Sequence, residues 1–147
     1  AIIYTRVSTD DQAEYGYSLA HQEDTLRKEC ARRGFHVVAH YRDDGYSATT
    51  FKRPQFQELL NYLKKHKNQI TYLLVTKWCR FSRDVGNSVV MCKELQSYGT
   101  RVLTLDDGED LDNPNNLLLR IICGMLSELP LHSLSNLSLS LLSSVSW

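Results

Sequence analysis

Short apolar runs alternate with stretches of helical period along most of this chain. Residues 1–7 (AIIYTRV) read as a buried strand, and a polar loop follows over 8–16. Within 18–33 the apolar positions Leu19, Leu26 and Cys30 recur at helical spacing, and Gly34 supplies a stop. Residues 35–41 (FHVVAHY) read as a second strand, with a loop rich in Asp, Gly, Ser and Thr over 42–52. Pro54 suits the first turn of a helix over 54–68, where its missing N–H has no partner to lose. Strands are predicted over 70–76 (ITYLLVT) and 101–105 (RVLTL), separated by a helix over 85–98 that Gly99 closes. A last helix over 115–128 carries Leu117, Leu118, Ile121, Ile122 and Met125 on one face. Strands alternating with helices at this spacing predict an α/β domain with a mostly parallel central sheet flanked by helices.

Residues 129–147 break the pattern. They hold no Asp, Glu, Lys or Arg and consist almost entirely of Ser and Leu, which makes neither a polar linker nor an amphipathic helix. They read as an atypical tail, for which a frameshifted or vector-derived, non-native origin is one explanation. The Asn136-Leu137-Ser138 glycosylation pattern in it reads as chance.

Composition narrows the picture. With 147 residues, 42% apolar and 23% charged, the chain has the make-up of one ordinary globular domain. Its 17 basic and 17 acidic residues cancel, which argues against a self-sufficient DNA-binding domain but leaves room for a local arginine cluster. No apolar run is long enough to span a membrane, and the first residues do not form a leader. Cys30, Cys79, Cys92 and Cys123 make no C-x-x-C pair, and the histidines lack zinc spacing, so no metal site is expected. A reducing, cytoplasmic setting follows, with Cys30, Cys92 and Cys123 packing as small hydrophobes.

Open α/β sheets bind ligands beyond the carboxyl ends of their strands. Those ends carry Arg6 and Ser8, then Asp43 and Asp44, then Lys77, Arg80 and Arg83, then Asp106 and Asp107, with Arg53 at the start of the second helix. Ser8 by itself reads as a turn former, and Arg80 with Arg83 as a solvated pair sharing one side of a helical turn. Arg6 is harder to explain so, because a charge in an apolar strand needs a partner or a function, and Asp44 is a plausible partner. A serine among arginines, with no G-x-S-x-G elbow or nearby histidine, points to phosphoryl transfer through a phosphoserine.

Tyr4-Thr5-Arg6-Val7-Ser8-Thr9-Asp10-Asp11-Gln12 resembles the Y-x-R-V-S-T-x-x-Q signature of the serine recombinases, the resolvase/invertase and large serine integrase group. Asp44-Gly45-Tyr46-Ser47-Ala48 with Arg53-Pro54 resembles their D-x-x-S-[GA]…R-P segment, and residues 77–83 (KWCRFSR) their K-x-D-R-x-x-R block. The longer 14–22 segment (EYGYSLAHQ) is more like the large recombinases. The resemblance covers about residues 1–128 and implies a three-layer, resolvase-like catalytic domain. It further implies that Ser8 attacks a phosphodiester of double-stranded DNA, forming a 5′-phosphoserine link and a free 3′-hydroxyl. Arg6, Arg80 and Arg83 then hold the scissile phosphate with help from Arg53, while Gln12 and Asp44 orient them. No metal, cofactor or ATP is needed. A homodimer assembling to a tetramer during synapsis is implied, with room for a directionality factor, in a bacterial cytoplasm, nucleoid-associated or encoded by a mobile element.

Two departures shape the alternatives. Cys79 stands where the family has Asp, and a neutral thiol is a weak acceptor for guanidinium groups. Glu128 is followed by Leu129 and Pro130, which would end the helix, and no DNA-binding domain is recognised in the chain. A catalytically impaired remnant, acting only as a dimerisation or DNA-binding module, is therefore the second reading. A receiver-like domain using Asp43-Asp44 and Asp106-Asp107 is a third, to which the arginine cluster is poorly suited.

Overall fold

β1 (Ile2–Val7) is buried at every position, and its side chains alternate between two cores. Ile2 and Tyr4 enter the larger core, while Ile3 enters the smaller one. The computed structural model describes residues 1–9, 18–105, 118 and 120–122. Within them β1 is followed by α1 (Leu19–Arg33), β2 (Ala39–Asp44), α2 (Pro54–Lys65), β3 (Tyr72–Val75), α3 (Trp78–Phe81), α4 (Val85–Ser97) and β4 (Arg101–Thr104). The strands form a parallel sheet in the order β2-β1-β3-β4. Residues of α2 and α4 share the larger core, and α1 packs with Phe35 on the smaller one, so helices cover both faces. The α/β class and the parallel sheet are as the sequence pattern predicts.

Local chemistry sets most boundaries. The Ser18 side chain accepts from the His21 N–H to start α1, and Gly34 ends it in the left-handed region at φ 74°. α2 opens with Pro54 but receives no side-chain cap from Arg53. Its cap comes from across the fold: the Asp43 carboxylate accepts the N–H groups of Gln55 and Phe56, both at 3.1 Å.

The structure corrects the second strand. Residues 35–38 lie outside it, and β2 instead includes Asp43 and Asp44, which the sequence pattern assigns to a loop. Pairing with β1 begins at Ile2↔Ala39 and runs to Val7↔Asp44, while Phe35 stacks on Tyr72 with ring centroids 4.8 Å apart. The apolar run is thus used for packing before the ladder starts. α2 and β3 are shorter than predicted, and α3 is a single turn that no periodicity announces. Of the predicted last helix, Leu118 and residues 120–122 are described and helical, and Ile121 joins the larger core. The remainder of that helix and the tail over 129–147 lie outside the described residues.

Gly99 closes α4 at φ 81°, and a Cβ there would stand 2.5 Å from Asn68 Oδ1 and 3.0 Å from Asn68 Cα. Asn68 cannot easily retreat, since its own φ is 62° and its N–H donates to the Tyr98 carbonyl at 2.8 Å. Gly99→Ala is expected to destabilise the protein by about 1–3 kcal/mol, measured as a lower denaturation midpoint with unchanged slope.

Candidate active site

The strand order places β1 at the point where the chain departs to both sides, toward β2 and toward β3. In a parallel sheet that is where a crevice opens beyond the carboxyl ends. Ser8 directly follows β1 there and is half-buried. β2 and β1 are tied together just before it, because the Gly45 N–H donates to the Val7 carbonyl at 2.8 Å and Gly45 turns the chain at φ 84°.

Arg6 is fully buried two residues before Ser8. Its guanidinium donates to the carbonyls of Arg80 (3.1 Å), Tyr46 (2.7 Å) and Cys79 (2.9 Å), joining the loop after β2 to the α3 turn. This geometry arises because β3 stops at Val75, so the end of β1 meets α3 instead of a strand. The backbone of Arg6 is also held: Gln22 of α1 accepts from its N–H at 3.2 Å and donates to its carbonyl at 3.0 Å.

Arg80 and Arg83 do not share one side of a helical turn as their spacing predicts. Arg80 sits in α3 and is 2% exposed, whereas Ser82 turns the chain extended (φ −160°, ψ 150°) and leaves Arg83 exposed. The Arg83 N–H donates to the Ala48 carbonyl at 3.0 Å, which ties this segment to the loop after β2. Cys79 is buried beside them. Arg53 precedes α2 and donates to the Phe81 carbonyl at 2.6 Å, so it reaches the same turn.

The two neighbouring aspartates separate by strand parity. Asp43 lies opposite Arg6 in the ladder and is buried, accepting the Tyr4 hydroxyl at 2.8 Å as well as the α2 N–H groups. Asp44 lies opposite Val7 and is exposed at the rim. Burial pushes the Tyr4 phenol above its ordinary range, so it stays a donor to Asp43. Beside β1, His40 contacts the Thr5 hydroxyl at 2.9 Å and Glu23 at 3.4 Å, and burial pulls its pKa below the usual imidazole value. Cys30 and Cys92 are buried in the two cores. Gln12, Asp106, Asp107 and Cys123 lie outside the described residues.

Asp43 is expected from the sequence only as a rim carboxylate and Tyr4 only as part of the first motif, while Gln22 has no expected site role; the structure makes all three internal partners of the site. Gln22 carried a signal: it is a polar residue on the buried stripe of α1, with Leu26 and Cys30, where burial demands hydrogen-bond partners. Among the described residues, no cluster of His, Cys, Asp and Glu is arranged to hold a metal ion. Among them, too, no helix is long and apolar enough to cross a membrane.

A family model described as the resolvase N-terminal domain matches residues 1–139 of this chain. The chain belongs to the resolvase family. The crystal structure of the N-terminal catalytic domain of TP901-1 integrase superposes on this resolvase-family chain with a TM-score of 0.68. It is 29% identical, over 86% of this chain and 92% of that one. A resolvase family site-specific recombinase from Streptococcus pneumoniae is similar at a TM-score of 0.67, with 26% identity over 97% of this chain and 93% of that one. A Bacillus subtilis (strain 168) protein described as "Putative DNA recombinase" is 29% identical over 128 residues, or 86% of this chain. The match spans only 24% of that relative's length. Family and fold therefore agree with the recombinase resemblance of the three motifs.

Proposed function

We propose that this chain is the catalytic domain of a site-specific recombinase that cuts and rejoins double-stranded DNA through Ser8. Ser8 Oγ attacks the scissile phosphorus, one P–O bond forms as the bond to the 3′ oxygen breaks, and the serine's proton ends on the departing 3′-hydroxyl. The product is a 5′-phosphoserine whose bond energy is retained, so resealing reverses the step without ATP. Arg80 and Arg83 neutralise the charge that grows on the phosphoryl oxygens, Arg6 joins them once the arriving phosphate draws it from the Arg80, Tyr46 and Cys79 carbonyls, and Asp44 and Gln12 orient the serine and arginines. Assembly as a homodimer that pairs into a tetramer, with an accessory directionality factor, belongs to the same reading.

The observation that carries it is the mutual bonding of these parts at one rim. Ser8 follows the strand whose Arg6 holds the Arg80, Cys79 and Tyr46 carbonyls, and Arg83 is tied to Ala48 in the same loop. A half-buried serine two residues after a strapped arginine, at a sheet's switch point, suits nucleophilic attack on a phosphodiester. The test is to incubate the protein with duplex DNA flanking its own coding sequence, stop with SDS, and map any covalent adduct by mass spectrometry. An adduct joining Ser8 to a 5′ phosphate supports the reading; an adduct on another residue or at a 3′ end sinks it.

Cys79 favours a second reading, an impaired module that pairs or occupies DNA without cutting. Cys79 is buried within the turn whose carbonyls Arg6 holds, and a neutral thiol is a weaker acceptor for guanidinium groups than the carboxylate of the family motif. Under this reading Cys79→Asp is expected to raise adduct yield at least about tenfold, comparable with restoring one charge-assisted orienting contact. Where the unsubstituted chain itself forms an adduct, an unchanged or lower yield would show that Cys79 is tolerated and discard the impaired reading.

A further inference from the structure

Arg53 carries the charge of a phosphate ligand in a setting unlike one. It is 1% exposed, and its Nε and both its Nη atoms are engaged by protein oxygens. Nε donates to the carbonyls of Ser47 at 3.1 Å and Thr50 at 2.9 Å, one Nη donates to the Tyr4 hydroxyl at 3.3 Å, and the other to the Phe81 carbonyl at 2.6 Å. The rings of Phe51, Phe56 and Tyr4 lie 4.8, 5.6 and 5.9 Å from its Cζ. Its counter-charge is Asp43, reached through the Tyr4 hydroxyl, which donates to that carboxylate at 2.8 Å. An anion reaching this guanidinium would have to displace carbonyls and strip away an aromatic cage, at the cost of leaving those carbonyls buried and unpaired.

What the planar fork does hold is two backbone segments at once. The Phe81 carbonyl stands between Arg80 and Arg83. Ser47 and Thr50 flank Ala48, whose carbonyl accepts the Arg83 N–H at 3.0 Å and the Ser82 hydroxyl at 3.3 Å. Arg53 therefore spans the seam that fixes where Arg83 leaves the core. Resting on the cleavage reading above, we propose that Arg53 is a positioning residue: it sets Arg83 against the scissile phosphate through the Phe81 and Ala48 carbonyls, and its own guanidinium never meets DNA. Arg53→Lys keeps the charge but replaces a four-contact fork by one ammonium, so it separates position from charge.

The first test needs no variant. In the full chain, the arginine Nε–H signals are followed by NMR during titration with inorganic phosphate and then with duplex DNA. The Arg53 signal is expected to stay in place and exchange slowly, while the Arg83 signal moves and saturates; a saturable shift at Arg53 overturns the proposal. The second test compares adduct formation on a duplex with a native scissile phosphate and one with a neutral methylphosphonate. Neutralising the phosphate relieves the need for an arginine that touches it, so the loss caused by Arg83→Ala is expected to shrink. Arg53→Lys is expected to lower the cleavage rate about 10²-fold with KM unchanged, the mark of misplacement; because it acts through Arg83, the loss is expected to shrink on the methylphosphonate in step with Arg83→Ala and to add nothing in an Arg83→Ala background. A loss for Arg53→Lys that persists undiminished on the methylphosphonate, or that adds to the loss of Arg83→Ala, overturns the positioning role. If the wild-type chain forms no adduct on either duplex, the cleavage reading falls, and the phosphate titration still decides whether Arg53 meets an anion.

Discussion

Ser8→Ala is expected to erase the covalent protein–DNA adduct while changing stability by no more than about 0.5 kcal/mol, since it deletes one oxygen from a half-buried residue outside the regular elements. The preceding residue, Val7, ends a strand buried on both faces, and its carbonyl is held by the Gly45 N–H, so the backbone entering Ser8 is fixed from β2. Removing the hydroxyl is therefore expected to take away the proposed nucleophile while the backbone that presents it stays held by β2. The measurement pairs an SDS gel for the adduct with thermal unfolding of the same preparations. A surviving adduct in Ser8→Ala would place the nucleophile elsewhere; a collapse in stability would make Ser8 a structural cap. DNA affinity is expected to persist in the variant, because the arginines proposed to answer the phosphate charge are untouched.

Much of the scaffold around Ser8 is legible from local signals. The apolar run of β1, the Ser18 and Gly34 limits of α1, Pro54 at the head of α2 and Gly99 behind α4 each act through chemistry confined to a few residues. The misread features depend on partners distant in sequence. β2 begins four residues later than its apolar run because pairing to β1 starts at Ala39, a register that also brings Asp43 under the α2 N-terminus. Nothing in the dipeptide Asp43-Asp44 tells which carboxylate is the inner one; strand parity decides, and parity needs the register. Likewise Arg80 and Arg83 differ in burial because α3 lasts a single turn before Ser82 extends the chain. The candidate site was legible as a set of residue types at strand ends. Its internal wiring, with arginines holding carbonyls across loops, was not, because main-chain acceptors leave no mark in a sequence.

That wiring makes Arg6→Met the substitution with the largest expected cost to the fold. The change keeps a long, flexible side chain and removes donors to the Arg80, Tyr46 and Cys79 carbonyls. Two opposing effects compete. Deleting a buried charge is favourable by itself, since a guanidinium at 0% exposure has given up its hydration. Against this, acceptors on two separate segments lose charge-assisted bonds, at about 1–3 kcal/mol for each one left unsatisfied. Relaxation near the exposed Tyr46 and Arg83 lets water recover part of that, so the net loss is expected at about 3 kcal/mol, or about 10 °C in Tm for a chain of this size. Arg6→Lys restores charge but only one point of attachment, and is expected to fall between wild type and Arg6→Met in stability while staying far below wild type in adduct formation. A Tm for Arg6→Met within about 2 °C of wild type, less than one unsatisfied buried acceptor costs, would mean the carbonyls are not held by Arg6 in solution. Arg6 would then be available to the phosphate before DNA arrives, and the strapping of α3 to the loop after β2 would rest on the Arg83–Ala48 bond and Arg53.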